Sequence, residues 1–340
     1  MKNKRMKTRK IGSVGLISAL FVMLVFISLL SLRLGGVSMS ASEFYGALFR
    51  RESYRTGSVI IYSVRLPRVL GGILAGAGLS LSGLLLQRVT DNSLASPNIV
   101  GVNAGAGFGV ALCLTLPIAS AFPLVALLPV FAFVFALLSA GLVIAISYAS
   151  GGSRYTIVLA GVAVSALLTA FISAVTLLDT DILASYNAFS IGSLSGVTYS
   201  ELIIPTAVIL ICAVTATLFS SQLNLISLGS RGAAMLGVNV RRLTLISVIC
   251  AAASAAAVVS FAGLLGFVGL VVPHISRAIG GHKMGRLIPI TIILGASVVL
   301  LADLFGRLVI SPSEVPVGIT MALVGAPFFI FLLIKRRGEC

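Results

Sequence analysis

Few side chains in this chain could carry chemistry, and their spacing narrows what that chemistry is. The two histidines, His274 and His282, lack partners at ligand spacing, and a metal site needs three or four ligands. His274 directly follows Pro273, so the pair is expected to mark a helix break with a capping hydrogen bond. Cys113, Cys212, Cys250 and Cys340 fall within apolar runs or at the extreme C-terminus. They show no metal or redox spacing and are read as packing residues. No nucleophile has a plausible base nearby, and no carboxylate pair lies inside an apolar run, so an enzyme would have little to work with. Gly105, Gly107 and Gly109 suggest a dinucleotide fingerprint, but Val110 stands where the third glycine is required. No Gly-x-x-x-x-Gly-Lys-Ser/Thr phosphate loop occurs, so ATP, if used, is bound by another chain. What remains is arginine and carboxylate chemistry. Arg65 and Arg68 flank Leu66-Pro67, where their guanidinium groups could offer charge-assisted donors to carboxylates. Asp303 and Arg307 stand four apart, on one helix face, and can pair near a helix end, a position that suggests a surface role. Asp303 is also the one good relay for an ion-coupled secondary transporter, which stands as the alternative to a partner-driven one.

The elements that hold these residues are membrane helices. Hydrophobic residues form 58% of 340 and charged residues 10%, with mean hydropathy +1.14, outside the balance of a soluble domain. Apolar length and Gly/Pro breaks give about ten spans. They run Ile11 to Leu34, Val69 to Leu86, Ile99 to Leu116, Phe122 to Tyr148, Tyr155 to Leu178, Leu202 to Phe219, Leu243 to Phe261, Gly263 to Ala278, Leu287 to Phe305 and Val317 to Ile334. The eighth, short and interrupted by Pro273, reads as a broken helix. The +15 charge does not form a basic and aromatic patch for nucleic acid. Most of the 24 basic residues fall on one side, while all nine acidic residues except Asp91 and Glu339 fall on the other. The positive-inside rule then puts both termini in the cytoplasm, with residues 1–10 as a basic tail. Glycines four apart, at Gly72 and Gly76, at Gly101, Gly105 and Gly109, and at Gly192 and Gly196, are expected at close helix crossings. Glu314, ahead of Pro316, is expected near the positive N-terminal end of the last span. The chain is therefore an all-α polytopic membrane protein, one transmembrane domain over 1–340.

A polar island, Ser220 to Arg242, interrupts the apolar pattern on the inner side. Ser230 could cap a short helix from Arg231 to Leu236, and Gly237 could end it in the left-handed conformation. Two turns of helix are marginal alone, so this one is expected to dock into a partner.

The ordered motifs resemble the permease subunit of a type II ATP-binding-cassette importer, in the iron-siderophore, haem and cobalamin family. They include Arg65-Leu66-Pro67-Arg68, Gly76 to Gln87, Leu94-Ala95-x-Pro97, Leu159-Ala160-Gly161-Val162, Gly192-Ser193, Leu228-Gly229, Gly266 to Leu270 with Pro273-His274, Glu314-x-Pro316-x-Gly318 and Gly325-Ala326-Pro327. The loop Thr90 to Ala95 departs from the family by losing a proline, and Gly281-His282-Lys283 lacks the family's carboxylate. The resemblance implies that Arg65, Arg68 and Arg307 receive an extracellular binding protein. It implies a coupling helix that meets the ATPase through Leu228, Gly229, Arg231, Ala233, Ala234, Leu236 and Gly237. Asn92 and Leu94 resemble the inner gate, and the fifth and tenth spans are expected to line the path. The implied partners are a second permease copy or paralogue, two ATPase subunits, the binding protein and membrane lipid. Neither cofactor, metal nor nucleic acid is implied, and the expected cargo is an iron-siderophore chelate ahead of haem or cobalamin.

Overall fold

A computed structural model describes residues 13–36, 39–49, 54–116, 124–152, 154–310 and 313–336. The basic stretch 1–10, Phe122 at the start of the fourth predicted span, and Cys340 lie outside them. Every regular element among the described residues is helical. The order is α1 Ser13–Arg33, α2 Ala41–Phe49, α3 Arg55–Thr90, α4 Val102–Thr115, α5 Leu124–Ala149, α6 Arg154–Leu178 and α7 Thr180–Ile191. It continues with α8 Tyr199–Leu218, α9 Ser220–Leu225, α10 Gly229–Met235, α11 Val240–Ala262, α12 Val268–Gly280, α13 Met284–Val309 and α14 Val317–Arg336. Each predicted span overlaps one of these helices. Within the described residues, seven, including α1, α3 and α13, are long and apolar enough to cross a membrane.

Helix α3 is the hub. It packs against α11, α12 and α13, and along most of its length every face is buried. Small residues make this possible. A Cβ on Gly76 would overlap the Gly295 carbonyl of α13, and one on Gly83 would overlap the Gly269 carbonyl of α12. Without a hydrophobic driving force between helices in lipid, such close backbone approach is what holds them together. The predicted glycine crossings hold at Gly72, Gly76, Gly105 and Gly109, each tight against a neighbouring helix. Gly192 and Gly196 instead follow α7 outside any helix, at positive φ.

The second predicted span is extended by the structure. Helix α3 starts at Arg55, not Val69, and its 36 residues span about 54 Å, well beyond the hydrocarbon thickness. Its segment Ile60–Arg65 is a π-helix, with the Leu66 N–H donating to the Ile61 carbonyl. Pro67 explains it: proline offers no N–H and crowds the carbonyl one turn back, and the wider π turn relieves both.

Pro273 does not break its helix, contrary to expectation. It lies inside α12, and the irregular backbone falls before it, from Gly263 to Phe267, both at positive φ. The carbonyl that Pro273 leaves without a helical donor is that of Gly269. Gln87 supplies the donor, its Nε2 lying 3.2 Å from that oxygen, while Gln87 Oε1 accepts from Arg277 Nη2 at 2.5 Å. The irregular stretch is paired as well. Ser193 N donates to Ala262 O at 2.9 Å, Leu264 N to Phe189 O at 3.3 Å and Gly318 N to Gly192 O at 3.1 Å. Non-helical backbone at this depth is tolerated only when protein satisfies it in this way.

Candidate functional sites at the two ends of the bundle

At one end of the bundle, α1, α3, α13 and the segment before α14 converge on a cluster of three arginines and two carboxylates. Arg68 donates from Nη2 and Nε to Asp303 Oδ1 at 2.9 and 3.0 Å, and from Nη1 to Glu314 Oε2 at 2.5 Å. Arg307 Nε lies 3.1 Å from Asp303 Oδ2, so the expected helical pair forms. The remaining donors go to the end of α1, whose last carbonyls have no helical partners. Arg65 Nη1 donates to the carbonyls of Leu32 and Arg33 at 2.9 and 2.6 Å. Arg307 Nη1 donates to those of Ser31 and Leu34, and its Nη2 to the Ser31 hydroxyl.

The expectation that these groups sit at the surface is corrected by their burial. Arg65, Arg68, Arg307 and Asp303 are all buried, none more than 5% exposed. Only Glu314, with a side chain 32% exposed, faces outward.

At the opposite, basic end, α3 finishes at Asp91, which takes the left-handed conformation. Arg88 Nε donates to Leu223 O at 2.8 Å, and Asn224 Oδ1 accepts from Met284 N at 2.8 Å. These bonds tie α9 of the polar island to α3 and α13. Helix α10 follows one turn later. Its N-cap is Leu228 with no side-chain cap, so Ser230 lies inside the helix and does not cap it. Its C-terminus behaves as expected. Gly237 has φ +81°, with Val238 N bonded to Ala233 O and Gly237 N to Ala234 O at 3.1 and 3.0 Å, the paired closure of a Schellman turn.

The residues of this helix divide by face. Leu228, Met235 and Leu236 are exposed at 61%, 83% and 59%, and Arg231 and Ala234 are exposed too. Ala233 is fully buried against the chain's own core, beside Leu223, Ile226 and Leu243, so it faces away from any docking partner. In the loop after α3, Asn92 Oδ1 accepts from Leu94 N at 2.9 Å, with both residues exposed. A cavity of about 990 Å³ brings Asp91 and Asn92 together with Tyr148, Tyr155, Ser230 and Arg241, and Leu94 is not among its lining residues.

Against known proteins, residues 23–335 match the FecCD transport family. The chain belongs to the FecCD transport family. Among FecCD-type relatives, the hemin transport system permease protein HmuU of Yersinia pestis is 33% identical over 323 residues, covering 94% of this chain and 95% of that one. The ferric enterobactin transport system permease protein FepD of Escherichia coli K12 is 34% identical, covering 97% and 96%. A solved inward-facing conformation of a metal-chelate type ABC transporter superposes with a TM-score of 0.83 at 31% identity, covering 94% of this chain and 98% of that one. This FecCD chain is thus a multi-pass membrane permease, and its relatives are transport subunits.

Sequence reasoning about the FecCD chain missed Glu314 as an arginine partner, and it missed the ties that Gln87, Arg88 and Asn224 make at the basic end. Gln87 and Arg88 carried a signal: two adjacent polar residues closing an apolar run. Asn224 carried none, because its partner lies 60 residues away.

Proposed function

We propose that this chain is the membrane-spanning subunit of an ATP-driven importer, with ten spans, both termini in the cytoplasm, and an iron-siderophore-type chelate as cargo. Two copies, or one copy and a paralogue, enclose the path and sit on two ATPase subunits, and an extracellular binding protein delivers the chelate. The observation that carries this reading is helix α10. It presents Leu228, Met235 and Leu236 outward at the basic end, in a chain with no phosphate loop of its own. A short helix closed at its C-terminus, with an exposed apolar face, is suited to seat in another protein. The cargo follows the relatives, which act on hemin, enterobactin and other iron chelates.

Arg65, Arg68 and Arg307 contribute to binding-protein docking through their field. Three guanidinium groups face two carboxylates, Asp303 and Glu314, which leaves one positive charge in excess to attract an acidic surface. Asn92 and Leu94 form the inner gate beside the large cavity. Ion-coupled transport is disfavoured by the setting of Asp303: it is buried and engaged by both Arg68 and Arg307, which leaves no open face for a coupling ion.

The test is uptake into vesicles holding the permease with its ATPase and binding protein. Iron-chelate accumulation is expected to require ATP and to persist when proton and sodium gradients are collapsed. Uptake that needs a gradient and proceeds without the ATPase would overturn the reading.

A further inference from the structure

At the basic end of the bundle, α5 and α11 leave between them a groove of about 560 Å³. Gly141, Ile144 and Ala145 of α5 and Leu245 of α11 form its apolar part, while Asn239, Arg241 and Arg242 line its polar part beside Tyr148. The groove is open at Gly141, where a Cβ would meet no atom within 4 Å. Both arginines are exposed, and among the described residues no carboxylate pairs with either. Asp91 shares the adjoining cavity with Arg241 but does not line the groove. Arg241 is held in place: its guanidinium carbon lies 4.8 Å from the centroid of the Tyr148 ring, and the Tyr148 hydroxyl donates to the Arg241 carbonyl at 3.2 Å.

The two halves of this groove ask for one ligand with two matching halves. Its apolar part belongs to α5 and α11, two helices long and apolar enough to cross a membrane, against which a water-soluble anion gains nothing. Its paired cations sit in the first turn of α11 and Tyr148 in the last turn of α5, and cations with an aromatic side chain at span ends are usual at the membrane interface. Basic pockets between membrane helices suit anionic headgroups. We propose that this groove binds an anionic phospholipid, one acyl chain lying along Gly141 and Leu245 and the phosphate held by Arg241 and Arg242.

The experiment uses the purified, delipidated full-length permease and native mass spectrometry with added phosphatidylglycerol or phosphatidylcholine. Phosphatidylglycerol is expected to stay bound in preference to phosphatidylcholine. Each arginine near the headgroup layer contributes roughly fivefold in affinity, so Arg241→Gln with Arg242→Gln is expected to weaken phosphatidylglycerol by roughly 25-fold. Gly141→Leu fills the groove, leaves both charges in place and projects into open space on a helix, so it tests the acyl half even should the double variant fail to fold. It is expected to lose the lipid as well. Wild-type retention of phosphatidylglycerol by Gly141→Leu, or equal retention of phosphatidylcholine by the wild type, would overturn the proposal. So would displacement of the lipid by inorganic phosphate alone, which would make the arginines a site for free anions.

Discussion

Arg68 holds two carboxylates of unlike exposure, Asp303 almost fully buried and Glu314 with a third of its side chain exposed, so removing one partner or the other should have different costs. Arg68→Leu leaves Asp303 in the interior with Arg307 as its remaining ionic partner, and breaking a buried pair costs about 3 kcal/mol or more. The expected result is a lowered unfolding temperature of the purified permease. Glu314→Gln removes a partly solvated charge while keeping a hydrogen-bond acceptor, and about 1 kcal/mol or less is expected. Equal melting of both variants would show that the cluster is not the buried network described here. The Asp303 and Arg307 pair was legible in the sequence because four residues are one helical turn. Arg68 was not, since it meets Asp303 across 235 residues of chain and no local periodicity records such a meeting. Glu314 misled for a related reason. A carboxylate before a helix looks like a dipole partner, and only the folded chain shows a guanidinium within reach.

Helix α10 makes the same division by face. Its capped end fixes which residues look outward, and rotating the helix by about half a turn would exchange Ala233 for Met235. Met235→Glu with Leu236→Glu is expected to leave folding intact and to abolish the rise in ATPase activity that the loaded binding protein elicits. Ala233→Glu buries an unpaired carboxylate against Leu223 and Leu243, so it should reduce the amount of folded protein instead. Uncoupling by the second variant and not the first would reverse the assignment of faces. At the end that holds the arginine cluster, α2 carries a reciprocal cap, with Ser40 N bonded to Glu43 Oε2 at 2.8 Å and Glu43 N to Ser40 Oγ at 3.2 Å. These bonds hold the Glu43 carboxyl below its ordinary range, the Ser40 backbone donor contributing most. A depressed carboxylate stabilises the folded form above its unfolded pKa, and that contribution is lost as pH falls through the folded value. Amide exchange in 41–49 is therefore expected to rise, relative to α1, as the pH is taken below the usual carboxylate range. The element pattern was read well where apolar length alone decides a helix. It failed where proline was taken as an end. Pro67 hid the first turns of α3 behind a π segment, and Pro273 sits within α12 because Gln87, far away in sequence, satisfies the carbonyl it frees.

In the whole molecule, the apolar runs prescribe helices because lipid leaves backbone groups no other partner, and this much could be read residue by residue. Which helix touches which could not, because α3 is apolar on every face and has no stripe to aim it. The outward faces of α6 and α14 raise the remaining question. Both expose large side chains, Leu159, Val162 and Phe171 on α6 and Leu323, Val324 and Phe331 on α14, as lipid-facing helices do. Yet α6 also exposes Thr169 and Ser173, with the Ser173 hydroxyl turned back to the Thr169 carbonyl at 3.0 Å, a masking bond that lets a hydroxyl stand beside an apolar surface. Hydroxyls on that face suit a wet path between two copies better than they suit lipid. If the path runs along α6, a cysteine at Ser173 should be reached by water. In a chain with its four native cysteines replaced by serine, Ser173→Cys is expected to react rapidly with a charged maleimide. Ile211→Cys, on the exposed side of α8, should react far more slowly, because hydrocarbon suppresses the thiolate that attacks. Labelling of Ser173→Cys should fall further when the binding protein and ATPase are present and the path is closed. Equal, slow labelling at both positions would return α6 to the lipid and send the search for the path to α14.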